Sequence, residues 1–213
     1  MITIGARREL PRDIVDSMHD FRHEIFVRRL KWSLPLVDGV ERDEFDNEDA
    51  VYFIVRDTDE QITACARLLP TTGPYLMSER FTELLGGKPA PSDSVVWELS
   101  RFATNVRKTG EGRVLSLSQP TLDLLDAVIR FAQRRGVRQL ALVTSIPIER
   151  LLLRAGFDVH RFAAPARMRD GLYVALFIEL PAAEARAPFE PAHPRAWFTS
   201  NCGDVSRVNH SGT

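Results

Sequence analysis

The stretch PTLDLLDAVIRFAQRRGVRQLALVT, residues 120–144, sets the architecture. Leu122, Leu125, Val128, Ile129 and Ala132 recur at helical spacing and line one side of a helix over 120–135, which Gly136 stops. Leu140 to Thr144 then forms a short apolar run, read as a buried strand. Downstream, Pro147 opens a second helix that ends at Gly156, with Ile148, Leu151, Leu152 and Ala155 inward, and Leu172 to Leu180 is a last strand. Upstream, Val95 to Phe102 is strand-like. Before it, Val51 to Arg56 and Ile62 to Leu69 read as a hairpin joined by the polar turn Asp57-Thr58-Asp59-Glu60. Residues 13–31 carry Ile14, Val15, Met18, Phe21, Ile25 and Phe26 at helical period; Ser33 to Asp49, with Asp38-Gly39, reads as a loop. Phe81, Leu84 and Leu85 fall on a short helix closed by Gly86-Gly87. This order specifies an α/β (α+β) three-layer sandwich with a mixed sheet. One domain over 1–182 is expected, and 183–213, rich in Pro, Ala, Ser and Asn without periodicity, reads as a flexible tail.

Composition narrows the function. The 213 residues are 44% hydrophobic and 27% charged, with net charge −1, which disfavours binding nucleic acid or membrane surfaces through overall charge. No apolar run approaches membrane-spanning length, and Arg7-Arg8 precede no secretory apolar segment, so a cytoplasmic protein is expected. Cys65 and Cys202 make no disulfide framework, and no CxxC, HExxH or His cluster suggests a metal.

Six charges stand inside apolar or aromatic surroundings: Arg22, Asp43, Asp46, Arg67, Glu98 and Arg101. Such residues are rarely buried unless paired, and three carboxylates against three guanidiniums suit a polar cleft for a zwitterionic substrate. Glu98 and Arg101 would point to opposite faces of a regular strand. A bulge near Leu99–Ser100 is therefore expected, bringing both to one side. On these residues alone, Asp43 and Asp46 also read as solvated loop acids, and Glu98 as the partner of Arg101 or Arg67 in a structural ion pair.

Taken together, Arg22-x3-Phe26-x5-Trp32, Glu41-x-Asp43-x2-Asp46, Arg67-Leu-Leu-Pro-Thr-Thr-Gly and Glu98-Leu-Ser-Arg101-Phe resemble the acyl-homoserine-lactone (LuxI-type autoinducer) synthases over roughly residues 20–180. The resemblance implies a fold similar to GCN5-related acyltransferases. It also implies acylation of S-adenosylmethionine from a thioester on acyl carrier protein (or acyl-CoA), followed by lactone closure and loss of methylthioadenosine; no cofactor is implied. Under it, Asp43 and Asp46 face the cationic groups of S-adenosylmethionine, and Arg22 and Arg101 clamp carboxylates. Trp32, Phe26 and Phe81 offer aromatic faces. Glu98 is the general base, Ser100 lies by the thioester oxygen, and Arg67 braces the acids. Leu142, Thr144, Ile146 and Leu152 line the acyl chain. Arg107, Lys108, Arg150 and Arg154 are candidate contacts for an acidic carrier protein. The segment Arg107-Lys-Thr-Gly-Glu-Gly112 reads as RxxGxG but precedes the next helix by some eight residues, so a surface loop is the simpler reading. Two other classes fit parts of the pattern: a coenzyme A-dependent N-acyltransferase of another amine, and a non-catalytic acyl-binding module.

Overall fold

The computed structural model describes residues 1–105, 119–168 and 171–181. Arg107 and Lys108, with the RxxGxG segment, and the tail 183–213 lie outside the described residues. The elements run β1 (Ile2–Ala6), α1 (Arg12–Arg22) with a π-helical continuation (His23–Arg29), β2 (Leu36–Val37), β3 (Val40–Glu41), β4 (Val51–Arg56), β5 (Ile62–Pro70) and α2 (Leu76–Arg80). After a 3-10 turn (Thr82–Leu85) come β6 (Val96–Thr104), α3 (Gln119–Arg134), β7 (Gln139–Ser145), α4 (Ile146–Arg154), β8 (Val159–Arg161), β9 (Ala166–Met168) and β10 (Gly171–Glu179).

The main sheet is ordered β1-β4-β5-β6-β7-β10-β8, with β9 also on β10. Its pairs are antiparallel except β6–β7, whose parallel crossover contains α3. Alternation divides the strands between two cores. Val51, Phe53, Val55, Ala64, Ala66 and Leu68 face α3 and α4, whereas Tyr52, Ile54, Cys65 and Leu69 face α1, the π-helical segment and α2. The result is the expected three-layer α/β sandwich with a mixed sheet.

Three local readings are corrected. On α3 the inward positions are Thr121, Leu124, Leu125, Val128, Ile129 and Ala132, and Leu122 is only half-buried. On α4, Ile148 is 45% exposed, and Glu149 turns inward instead because both of its oxygens accept bonds from Arg161, twelve residues on. The loop 33–49 contains the small β2–β3 hairpin, turned at Asp38-Gly39 with both residues at positive φ.

Candidate active site

Two departures from a regular sheet build the site. The first is a split. β6 and β7 pair only at Val96↔Gln139, Trp97↔Leu140 and Glu98↔Ala141. Beyond Glu98 the strands part: β6 stays with β5 as far as Thr104, and β7 stays with β10 as far as Ser145. A V-shaped opening results, with Glu98 at its apex. The second is the bulge in β6. Arg67 pairs with Ser100 and Cys65 with Ala103, so Ala66 faces two residues, Arg101 and Phe102. Arg101 takes the strain, at φ +51°. The bulge thus falls at Arg101–Phe102, just past the expected Leu99–Ser100, because Ser100 stays in register to accept from Arg67 Nε at 3.1 Å. Its effect is the anticipated one: Glu98, Ser100 and Arg101 all serve the same side of the sheet.

There the charges interlock. Arg22 Nε donates to Glu41 Oε2 at 2.5 Å, and its two terminal nitrogens donate to Asp46 Oδ1 and Oδ2 at 2.7 and 3.0 Å. Arg67 Nη1 and Nη2 hold Asp43 at 2.5 and 3.2 Å, and Nη1 also reaches Asp46 Oδ1 at 2.9 Å. Arg101 Nε donates to Glu41 Oε1 at 2.9 Å and Nη2 to Asp43 Oδ2 at 2.6 Å. The Tyr52 hydroxyl and the Asp43 amide complete Asp46, at 2.9 and 3.0 Å.

Sequence reasoning matched the three guanidiniums correctly but chose one wrong acid. The third carboxylate of the knot is Glu41, fully buried, and not Glu98. Its place two residues before Asp43 in the acidic run was the available signal. Tyr52 and His19 were also missed; His19 Nδ1–H donates to the Glu41 carbonyl at 3.1 Å. Asp43 and Asp46, expected to meet substrate cations, have both oxygens occupied by guanidinium, amide and hydroxyl donors. Arg22, expected to clamp a carboxylate, is likewise enclosed, at 1% side-chain exposure against 7% for Arg101. Arg101 is therefore the guanidinium of the knot that reaches the opening, and its Nη1 is not engaged by Glu41 or Asp43.

The electrostatics follow the pairing. Burial alone would raise the Asp46 and Glu41 carboxyls, but the guanidiniums outweigh it and hold both below the usual range. Glu98 goes the other way. Burial raises it, and the donors around it offset this only in part: the Met77 amide at 2.6 Å, the Arg67 charge, the Leu76 amide at 3.1 Å and the Ser100 hydroxyl. Glu98 is thus set apart from the knot as a carboxylate whose proton affinity exceeds the ordinary value.

Phe26 is buried between Trp32, stacked at 5.1 Å and 10°, and the Arg101 guanidinium 6.0 Å from its ring centre. Trp32 and Phe81 are half-buried on the same side of the sheet, packed against that core. Leu142 and Leu152 belong to the opposite core, with Ile146 packed on it, and alternation puts half-buried Thr144 on the Leu142 face. Arg150 and Arg154 are exposed on α4.

A sheet split beside a bulged strand, flanked by helices on both faces, defines an acyltransferase-like fold with a charged, enclosed site. A putative N-acetyltransferase from Lactobacillus plantarum shares that fold, at TM-score 0.56, with 15% identity over 85% of this chain and 98% of that one. The autoinducer synthase family model matches residues 7–188, and the chain belongs to that family. It is 41% identical over 183 residues to an acyl-homoserine-lactone synthase of Ralstonia nicotianae, covering 84% of this chain and 88% of the relative. The structure of TofI in complex with an inhibitor and MTA superposes at TM-score 0.72, with 38% identity over 84% of this chain and 91% of that one. BjaI, a CoA-dependent acyl-homoserine lactone synthase solved with SAM and isopentyl-CoA, gives TM-score 0.74 and 30% identity over 85% and 83%. By family the protein is an acyl-homoserine-lactone synthase, an acyltransferase.

Proposed function

We propose that the protein acylates the α-amine of S-adenosylmethionine from an acyl-carrier-protein thioester and closes the product to an N-acyl-homoserine lactone, a quorum-sensing signal, releasing methylthioadenosine. The observation that carries this reading is Glu98, a buried carboxylate of raised proton affinity at the point where β6 and β7 separate. A free α-ammonium has a pKa of ~8 and must lose a proton before it attacks a thioester carbonyl. Glu98 accepts that proton; the amine adds to the carbonyl, and the thiol leaves with a proton. Arg101 Nη1 faces the substrate carboxylate, and Trp32, Phe26 and Phe81 supply aromatic surface for the adenosyl and sulfonium groups. Ser100 orients Glu98 and sits by the thioester oxygen. Arg22, Arg67, Asp43, Asp46 and Glu41 hold Arg101 and the bulge in place. Lactone closure needs only proximity: the substrate's own carboxylate displaces methylthioadenosine at the γ-carbon. The acyl chain runs along Leu142, Thr144, Ile146 and Leu152. No metal or redox cofactor enters the reaction. No helix among the described residues is long and apolar enough to cross a membrane, and we place the enzyme in the cytoplasm.

A second donor is favoured by one observation, the CoA dependence of BjaI. Purified protein given S-adenosylmethionine with octanoyl-acyl carrier protein or octanoyl-CoA separates the two donors. Methylthioadenosine release with neither would overturn the reading. The acid limb of kcat/KM should have its midpoint above 4.5, the ordinary glutamate value, since burial raises Glu98. A limb at or below that value removes Glu98 as the titrating base.

A further inference from the structure

One corner of the surface carries a charge pattern that the reaction above does not use. Arg28, Arg29, Leu30 and Lys31 are consecutive and all exposed at the end of the π-helical segment, on a chain whose net charge is −1. Glu24 lies 3.7 Å from Arg28 and 3.1 Å from Arg29, so three cations against one carboxylate leave two positive charges. Leu30, in their midst, is 50% exposed.

The corner is tied to the mouth of the split. Arg29 Nη1 donates to Asn105 Oδ1 at 2.7 Å, and Asn105, the residue after β6, donates its amide to Thr63 at 2.7 Å. The other lip is the end of β7, where α4 starts at once, with exposed Arg150 about one turn in and exposed Arg154 at the helix's far end. Cations therefore stand on both sides of the opening through which a thioester must enter.

We propose that the Arg28–Lys31 corner is the β6-side half of a docking surface for an acidic acyl carrier protein. This rests on the functional reading above and deepens it. A coenzyme A thioester has no protein surface to set against both lips at once. A protein-borne thioester brings its surface against both, and an acidic, partly apolar surface matches cations around an exposed leucine.

The test uses the Arg28→Glu/Lys31→Glu double variant of the full chain, leaving Arg29 in place because it latches Asn105. Binding of fluorescently labelled octanoyl-acyl carrier protein is followed by anisotropy, and methylthioadenosine release is measured with that donor and with octanoyl-CoA. Binding should weaken about tenfold at low salt, with a smaller difference at high salt. The KM for octanoyl-acyl carrier protein should rise in step, while S-adenosylmethionine and octanoyl-CoA parameters stay unchanged. Unaltered carrier affinity overturns the proposal, as does equal loss with both donors. Wild-type protein that binds the carrier yet releases no methylthioadenosine from either donor refutes the enzymatic reading and leaves the docking surface standing.

Discussion

Asp46→Asn is expected to destabilise the protein by about 3–5 kcal/mol, the range for breaking a buried ion pair by removing one partner. The side chain is fully buried, and its oxygens accept from Arg22, Arg67, Tyr52 and the Asp43 amide. The amide keeps the shape but turns an NH2 group toward donors and leaves one guanidinium charge uncompensated. For a domain of this size that is a fall in melting temperature of roughly 6–20 °C. Thermal unfolding checks it. A melting point within 2 °C of wild type (about the size of a 1 kcal/mol effect) would mean that the knot is not coupled to folding. Acid acts in the same direction. The folded-state pKa of Asp46 is depressed, so its contribution is present above the unfolded value of 3.8 and is lost as pH falls through the folded value.

Glu98→Gln is the second large effect, and it falls mainly on turnover. Removing a positioned general base costs roughly 10²–10⁴ in rate. Some stability should go as well. The two Glu98 oxygens accept from the Leu76 and Met77 amides, and glutamine has one acceptor for two donors, leaving one buried amide unmatched at about 1–3 kcal/mol. The two losses are separable by measuring methylthioadenosine release on protein shown to be folded, and S-adenosylmethionine affinity by calorimetry. Near-normal release would exclude Glu98 as the base.

The parts of the fold that were legible carry strong local patterns. The 51–70 hairpin has apolar runs around a polar turn, and the 120–135 helix has a clean apolar face. The strands β1, β8 and β9 were not anticipated: β8 and β9 are three residues each, too short to show a pattern, and β1 gains its structure from β4, some fifty residues on. The switch to π-helix at His23 was hidden for a related reason. Leu30 N–H bonds to Ile25 C=O, and a helical apolar period does not record one extra residue per turn. At the site, arginines and acids among apolar neighbours announced burial and pairing, but sequence does not say which acid meets which arginine. Glu41 could therefore be exchanged for Glu98, and Asp43 and Asp46 taken as substrate contacts. The bulge was foreseeable from the three-residue offset between Glu98 and Arg101. Its final position depended on a cross-strand bond from Arg67 to Ser100.

The knot joins residues 22, 41, 43, 46, 67 and 101, drawn from a helix, a loop and three strands. Its contacts close over long stretches of chain, so it assembles only after the central strands have found one another. In refolding experiments, loss of a knot partner should then speed unfolding while leaving the folding rate nearly unchanged. The lifetime of the native protein, more than the ease of reaching it, is what this cluster of charges governs.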